Sequence, residues 1–249
     1  MMRSLPVSLV VFCFFITTIL SIGEISTGAG SRESLIEQES IKRLTIGADF
    51  LRIKREIKFN DNDEYIERAD SYSAFMGYDV LNWLNVFLSA GNIMLKENET
   101  DILDGNGKKW SLGLNSRLWQ MNIVDPAFMS GQCSIEIIAD YSQYEINDDG
   151  DLLKVNENFA ALLFGYEIFS EDIVSIEDFP YSLRLIAGPA FSDWDGKLRI
   201  YGNTSKFKEK TQEGVVAGTD IYLSHNLSLG CHLHYFGKST VNATLRFHF

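Results

Sequence analysis

The 249-residue sequence has few basic residues, few prolines and few long apolar runs, and these scarcities limit the classes of protein to which it can belong. Its 22 Lys and Arg against 34 Asp and Glu give a formal net charge of −12, which excludes the bulk neutralisation of phosphates that a nucleic-acid partner requires. After residue 23 the chain lacks any apolar run long enough for a membrane-spanning helix. Only four prolines accompany 19 glycines, 17 Phe and 10 Tyr, a composition that favours strands and turns.

The one long apolar run lies at the start of the chain. Arg3 gives it a positive start, residues 5–20 are almost wholly apolar, and Ser21 and Gly23 follow with the spacing of a cleavage site. The run is about 16 residues long, short of the roughly 18–20 that a spanning helix needs. We therefore predict that residues 1–23 are a removed signal peptide, with a single spanning helix as the alternative.

Cleavage after Gly23 would leave two cysteines, Cys133 and Cys231. The residue pattern places both on the outward face of separate strands. Two free thiols among apolar neighbours are therefore the favoured interpretation, and a disulfide is the alternative.

Period-two alternation of apolar and polar residues runs through the rest of the chain to its end. In the last ten residues Val241, Ala243, Leu245, Phe247 and Phe249 alternate with polar residues without an error. Successive side chains of a strand point to opposite faces, so this pattern predicts a strand with one apolar face. The same pattern predicts ten strands, at 44–59, 70–80, 86–97, 108–119, 131–146, 154–170, 182–196, 214–224, 228–236 and 240–249.

The lengths and connections of these strands favour a barrel that crosses a membrane. Many strands reach the roughly 9–11 residues that a tilted strand needs to cross a bilayer, whereas strands of soluble proteins usually stop at about five or six. Polar or charged connections alternate with mostly shorter ones along the chain. The polar ones occupy 60–69, 98–107, 147–153 and 197–213. Long loops on one rim and tight turns on the other are typical of an outer-membrane barrel.

The first predicted strand changes character along its length. Its alternation changes phase between Phe50 and Leu51, which indicates a bulge. Beyond it, we expect Arg52 to Lys58 to extend the strand above the bilayer. Before it, residues 24–43 are predicted to form a periplasmic leader, either flexible or with a short amphipathic helix over 31–42.

The polar face of the strands carries single charges beside small residues. Glycines such as Gly113 and Gly230 share this face with the charges, where a water-facing surface would carry many Lys and Glu. Small and long charged residues together suit a narrow interior, which leaves the apolar face to lipid. A soluble barrel, with its apolar face inside, is the alternative. We predict an ionic network in the lumen formed by Arg117, Glu136, Asp140, Glu167, Arg184, Asp220, His232 and Arg246.

Aromatic residues cluster near the ends of the predicted strands. An amphipathic ring is most comfortable at the headgroup level of a membrane, so such clusters predict two girdles. Aromatics are also common in strands generally, which explains any one of them but not the clustering. The predicted interface residues are Trp83, Trp110, Trp119, Tyr181 and Phe249.

Two hairpins carry a family resemblance. The ending from Tyr235 to the terminal Phe249 resembles the last hairpin of bacterial outer-membrane β-barrel proteins. The stretch 77–80 running into 87–91 is similar to the first hairpin of the OmpA-type barrel domain. The resemblance covers 44–249 and implies an all-β, closed, antiparallel, up-and-down transmembrane barrel. Alternation predicts about ten strands for it, and small members of the family commonly have eight.

The resemblance also implies partners. Outer-membrane lipids would surround the barrel, and the final strand ending in Phe249 is similar to the element that the barrel-insertion machinery reads. We expect a monomer located in the cell outer membrane, with no nucleic-acid partner.

Histidines are the main candidates for chemistry inside the barrel. His232 and His234 share a face, but the predicted register of the last hairpin places His248 on the order of 13 Å from His232, so we predict no metal and no cofactor. The register of the preceding hairpin predicts Asp220 opposite His232, a pair that could be catalytic. No Gly-x-Ser-x-Gly motif accompanies the pair, so we predict interior hydrogen bonding instead.

These patterns predict a non-enzymatic outer-membrane barrel with a structural or surface-interaction role and a lumen largely filled by the ionic network. Three alternatives stay open. They are a small porin-like channel, a barrel enzyme acting on envelope lipids, and a soluble ligand-binding barrel.

Overall fold

Strands make up nearly all of the described chain. The computed structural model describes residues 44–59, 64–95, 105–123, 131–148, 151–169, 182–224 and 226–249. The predicted signal peptide and leader lie outside these residues. No helix within the described ranges is long and apolar enough to cross a membrane. The strands are β1 (Leu44–Phe59), β2 (Glu64–Leu81), β3 (Leu84–Leu95), β4 (Asn106–Ile123), β5 (Gly131–Asp148), β6 (Asp151–Phe169), β7 (Ser182–Ile200), β8 (Asn203–Glu209), β9 (Glu213–Ser224), β10 (Leu227–Phe236) and β11 (Lys238–His248).

Ten of these strands close an antiparallel barrel. Each pairs with its neighbour in the chain, except that β9 passes over β8 to pair with β7. The barrel closes where β11 pairs with β1, from Thr45 opposite His248 to Arg52 opposite Val241. The prediction of a closed antiparallel barrel of about ten strands is confirmed, and the eight-strand alternative is wrong.

The additional strand, β8, lies within a stretch that the sequence predicted to be a loop. β7 continues to Ile200, turns at Tyr201 and Gly202, and returns as β8. The far end of β8 pairs with β1, with Phe207 opposite Phe59. β8 therefore bridges β7 and β1 beyond the ends of β9, β10 and β11. Its sequence gives a weak strand signal because Phe207 is the one apolar residue on its inner face.

The two rims of the barrel are defined by its ends and turns. Leu44 and Phe249 exchange backbone hydrogen bonds at one rim, with the Phe249 amide donating to the Leu44 carbonyl at 2.8 Å. The tight turn after Leu81 lies at this end too, which we call the lower rim. The Tyr201–Gly202 turn lies at the opposite, upper rim.

The alternation of β1 continues without a break from one rim to the other. Odd-numbered residues from Thr45 to Phe59 are the less exposed ones, and the pairing with β2 shows no register shift. The predicted bulge between Phe50 and Leu51 is therefore wrong. The sequence changes phase there because the barrel interior changes from polar to apolar.

The upper half of the interior is an apolar core. It contains one large cluster of buried side chains near the upper rim and a smaller cluster below it. The large cluster is Ile53, Ile57, Ala69, Ile93, Leu95, Tyr144, Ile146, Leu153, Val155, Trp194, Leu198 and Phe207. The smaller cluster is Ala161, Leu163, Ile186, Ala190, Val216 and Phe236.

The lower half of the exterior is an apolar band. Leu112 is 56% exposed and Phe247 42% exposed on it, while Arg117 and Arg246 form ion pairs inside. This arrangement contradicts the soluble-barrel alternative, because the apolar side chains of this half point away from the interior. Cys231 lies exposed on the band and Cys133 is half-buried, and both are free thiols, as predicted.

Phe207 tests how firmly β8 is attached to the barrel. Its side chain is 2% exposed and contacts the Phe59 ring at a centroid distance of 5.5 Å. Phe207→Ala should lower the free energy of unfolding by about 3–5 kcal/mol, because it leaves a cavity in the core. Urea titration of the protein refolded in detergent micelles, followed by tryptophan fluorescence, measures the change.

Thr204→Ala is the matched control on the same strand, because Thr204 is exposed. It should change the free energy of unfolding by less than about 0.5 kcal/mol. Equal effects of the two substitutions would contradict the packing of β8 on the barrel.

Candidate functional site

The predicted lumen residues fall into several contacts, and one of them centres on Glu136. Arg117 Nε lies 3.6 Å from Glu136 Oε1, and Arg184 Nη2 forms a closer ion pair with the same oxygen. Asn115 Nδ2 donates to Glu136 Oε2 at 3.4 Å. The Glu136 side chain is only 4% exposed, so two cations balance a carboxylate that has lost most of its water.

A glycine on β6 leaves the space through which the Arg184 side chain reaches Glu136 along the inner face of the barrel. Arg184 is on β7 and Glu136 on β5, so the guanidinium passes over β6 at Gly165. A Cβ atom there would lie 2.5 Å from Ser134 Oγ and 3.3 Å from Arg184 Nε. Small residues beside long charged ones are thus the condition for this ion pair.

Glu167 and Asp140 accept hydrogen bonds from serines. Ser182 Oγ donates to Glu167 Oε1 at 2.7 Å, and Ser142 Oγ donates to Asp140 Oδ2 at 3.0 Å. Glu167 lies opposite Arg184 and therefore beside the Glu136 ion pairs, whereas Asp140 lies farther up β5 than Glu136. The predicted network is therefore one group of contacts around Glu136 and Arg184 together with separate local contacts elsewhere in the lumen.

Asp220 and His232 do meet, though by a different register from the predicted one. His232 lies opposite Gly218, and Asp220 lies opposite Gly230, so the pair is diagonal. His232 Nε2 is 2.9 Å from Asp220 Oδ1. A Cβ atom at Gly218 would overlap the His232 ring, and one at Gly230 would lie 2.5 Å from Asp220 Oδ1. The two glycines leave the space in which the pair forms.

Arg246 joins β11 to β1 at the closure of the barrel. It forms an ion pair with Asp49 and donates from Nη1 to the Ala48 carbonyl at 3.0 Å. Its guanidinium lies over the Phe75 ring, with Cζ 3.7 Å from the centroid. The sequence pattern predicted Arg246 as a lumen residue but not Asp49, because alternation alone does not say which strands are neighbours.

His248 makes a second closure contact near the lower rim. Thr45 Oγ1 is 3.2 Å from His248 Nδ1, and Ser228 Oγ is 3.0 Å from His248 Nε2. These bonds link β1, β11 and β10. The fourth histidine, His225, lies outside the described residues. Within the described ranges, no group of three or more His, Cys, Asp or Glu could hold a metal ion.

A buried ionic cluster in the upper half was not predicted at all. Arg55, 2% exposed, places Nη2 3.4 Å from Glu157 Oε1 and Nη1 3.3 Å from Glu209 Oε1. The Tyr144 hydroxyl donates to Glu157, and Arg55 Cζ lies 4.2 Å from the centre of the Phe236 ring. The available signal was the placement of Arg55 between Ile53 and Ile57 on the apolar face, where a charge needs a partner.

The predicted interface aromatics lie at both edges of the apolar band. Trp110 is at the upper edge, where its Nε1 donates to Gln143 Oε1 at 3.0 Å and its ring contacts Tyr141 at a centroid distance of 5.5 Å. Trp83 and Phe249 are exposed at the lower rim, and Trp119 is half-buried near it. Tyr181 lies outside the described residues.

The outer face also carries upper-edge aromatics that the prediction left out. The Phe50 and Tyr72 rings lie 5.0 Å apart between their centroids. Outward residues beyond them are charged, beginning with Arg52 and Asp70, which form an ion pair at 3.0 Å. The upper edge of the apolar band is therefore marked by aromatic side chains.

An apolar exterior band, a polar interior at the same level and an even number of closing strands occur together in transmembrane β-barrels. The chain has this fold, and the predicted fold class is confirmed.

Comparisons with known proteins show likeness of fold only. No protein-family model matches the sequence, and neither does any curated protein. The structure of Ail, the attachment invasion locus protein of Yersinia pestis, in complex with the heparin analogue sucrose octasulfate is 12% identical, with 83% of this chain and 95% of that chain covered and a TM-score of 0.29.

Two further structures are similar at the same level. The transport unit of the autotransporter AIDA-I from Escherichia coli is 10% identical, with 94% of this chain and 97% of that chain covered and a TM-score of 0.39. Neisserial surface protein A is 10% identical, with 83% and 97% covered and a TM-score of 0.30. All three are bacterial outer-membrane β-barrels. The narrower likeness to the OmpA-type domain stays a prediction.

Glu136 tests the lower ion pairs. Glu136→Gln removes the charge that balances Arg117 and Arg184, and it should lower the free energy of unfolding by about 3 kcal/mol, because both guanidinium groups lose their anion. Urea titration in detergent micelles measures the change.

Glu145→Gln is the matched control, since Glu145 pairs with Lys154 at 3.0 Å on the exposed surface. It should cost less than about 1 kcal/mol. An effect of Glu136→Gln no larger than that of the control would show that the lumen ion pairs contribute little to stability.

Proposed function

We propose that the protein is an integral barrel of the outer membrane with a closed lumen and a structural or surface-interaction role. One observation carries the closed lumen. Among the described residues, buried side chains occupy the interior from the lower ion pairs to the upper rim, and this packing supports a lumen without a continuous water path.

The upper apolar core supports closure most strongly. Arg55 and Phe236 contact one another between the two apolar clusters, and both are almost fully buried. A porin needs a polar, water-filled lumen across its whole length. A core of packed apolar side chains at native density leaves no such path.

The apolar band supports insertion in a membrane. On β4 it extends from Trp110 to Trp119, which is about 30 Å along the strand and roughly 23 Å along the barrel axis at a tilt near 40°. The apolar belt of outer-membrane barrels is about 25 Å tall. We propose that outer-membrane lipids contact this band and that the named aromatics lie at the headgroup level. Recognition of the strand ending in Phe249 by the barrel-insertion machinery, and a monomeric state, belong to the same proposal.

The enzyme alternative has less support. The Asp220–His232 pair is present, but no described serine hydroxyl bonds to His232. A hydroxyl nucleophile needs a neighbouring base for activation. We propose that the pair serves instead to hold β9 against β10.

Cys231 tests lipid contact of the band. In a Cys133→Ser background reconstituted in liposomes, Cys231 should react with a lipid-soluble maleimide and be protected from a membrane-impermeant one, because its strand face lies within the band. A Thr204→Cys variant that also carries Cys231→Ser is the control, and it should react with both reagents. Rapid reaction of Cys231 with the impermeant reagent would contradict a lipid-facing band.

Planar-bilayer recording tests the closed lumen. Purified protein that shows heat-modifiable migration on a gel should insert without steady unitary currents, because packed side chains block the lumen. The double variant Phe236→Ala/Trp194→Ala removes two rings from the buried core and should show more frequent current openings than the unmodified protein.

Val241→Ala is the control for that double variant, because Val241 is exposed on the outer face. It should be as silent as the unmodified protein. Steady channels from the unmodified, folded protein would overturn the closed lumen and favour the porin-like alternative.

A further inference from the structure

The outer wall near the upper rim carries a cluster of basic residues on β7, β8 and β1. All are exposed, although the whole chain has a net charge of −12. We call this cluster the basic patch, and its members are Lys58, Lys197, Arg199, Lys206 and Lys208.

The strand register sets like charges directly opposite one another in the patch. Lys58 is paired with Lys208, and Lys197 with Lys206. Like charges opposite each other on one face of a sheet are destabilising. An anion bound between such pairs would relieve this repulsion.

The described residues supply little of that anion. Among them, no ion pair involves a member of the patch, while the neighbouring Lys154 is paired with Glu145 at 3.0 Å. Two acidic residues are paired directly with patch members in the strand register, Asp195 with Lys208 and Glu64 with Lys58. The five basic residues outnumber these two acidic partners, so the described part of the patch keeps a net positive charge on the exposed surface.

Tyr201, at the tip of the β7–β8 hairpin, adds a second and independent observation. It has a φ of 48° and Gly202 has a φ of 85°, so both central residues of this two-residue turn are left-handed. Asn, Asp and Gly are the usual residues there, and a tyrosine pays a steric penalty. The Tyr201 amide donates to Asp151 Oδ1 at 2.9 Å, which holds the turn, whereas the side chain is 93% exposed and gains no packing. An outlier of this kind points to a role for the ring itself.

The height of the patch excludes ordinary phospholipid headgroups as its ligand. Lys197 lies six residues beyond Phe191, which is exposed on the band. Six residues span about 20 Å along a strand and about 15 Å along the axis at a tilt near 40°. The headgroup layer reaches only about 5–8 Å beyond the hydrocarbon.

We infer that the basic patch and Tyr201 bind an anionic polysaccharide, a sugar chain that carries phosphate or sulfate groups. Lysine ammonium groups bind such oxyanions as point charges, and an exposed aromatic ring offers an apolar face to a sugar ring. The inference rests on the proposed function and on an orientation in which the upper rim, where the strands extend beyond the apolar band, faces the outside of the cell. The sugar chain belongs either to a glycolipid of the same membrane or to a soluble polymer.

Binding to the protein in zwitterionic lipid nanodiscs tests the inference. The probes are dextran sulfate, a phosphate-bearing mannan, and uncharged dextran. The unmodified protein should bind at least one of the charged polymers, more weakly as salt rises, and should not bind uncharged dextran.

A pair of matched double variants locates the binding. Lys206→Ser/Lys208→Ser removes two charges from the patch, and Lys54→Ser/Lys108→Ser removes two outward lysines nearer the band. The first should weaken binding about tenfold or more, at a cost typical of two surface lysines near an anionic surface. The second should change it less than about threefold, because net charge alone contributes weakly at these distances.

Tyr201→Asn separates sugar recognition from simple attraction between charges. Asparagine suits the left-handed turn, so the variant should be at least as stable as the unmodified protein while binding the charged polysaccharide more weakly. Polyglutamate of matched charge is the comparison, and its binding should not change in this variant. A loss of polyglutamate binding equal to the loss of polysaccharide binding would overturn the role of the ring.

Two further results identify the source of the polysaccharide and decide whether the inference fails. Addition of lipopolysaccharide to the nanodiscs should block the soluble polymers if the natural ligand is a membrane glycolipid, and leave their binding unchanged if it is a soluble polymer. Absence of binding to both charged polymers, or equal losses in the two double variants, would overturn the inference. The absence of steady currents in planar bilayers would be unaffected in that case, so a failure of the ligand inference can be distinguished from a failure of the proposed function.

Discussion

Pairing of backbone groups is the constraint on which this structure depends. A strand in hydrocarbon has no water to satisfy its amides and carbonyls, so every strand in the membrane must have two neighbours. The closure of β11 on β1 satisfies this requirement, and Arg246 and His248 reinforce it with side-chain contacts to β1. Closure also fixes a narrow interior, in which glycines such as Gly165 leave room for arginines.

The interior is polar in the lower part of the barrel and apolar in the upper part, because the lower outer surface contacts lipid and the upper outer surface contacts water. At the level of the apolar band, polar side chains face inward and find partners on nearby strands. Above the band, water surrounds the wall, and the inside is apolar as in a soluble protein. Arg55 lies within this upper core, and Glu157 and Glu209 balance its charge. On β1, the inward face thus changes from polar to apolar without a register shift against either β2 or β11.

Much of this fold could be predicted from alternation, while the contacts of the site could not. Period two identifies strands and faces, which is why Glu136 and Arg184 were placed inside before their partners were known. It carries no information on which residues lie opposite, so Asp220 was assigned the wrong neighbour and Asp49 was missed. The strand β8 was not predicted, because a short strand with lysines on its outer face and one phenylalanine on its inner face resembles a polar loop in sequence. The buried ion pairs of Arg55 were not predicted, because a charged residue on an apolar face interrupts the alternation of apolar and polar residues.

The position of β8 has a consequence for biogenesis. β1 needs two partners from late in the sequence, β8 along its upper part and β11 along its lower part. The β7–β8 hairpin is joined by a two-residue turn and can form locally, whereas the pairing of Thr45 with His248 spans nearly the whole barrel. Long-range pairing of this kind is slow. Until the carboxyl-terminal hairpin is in place, the edge of β1 that pairs with β11 has no partner, and pairing of β1 with β8 would bring that edge next to the position that β11 takes.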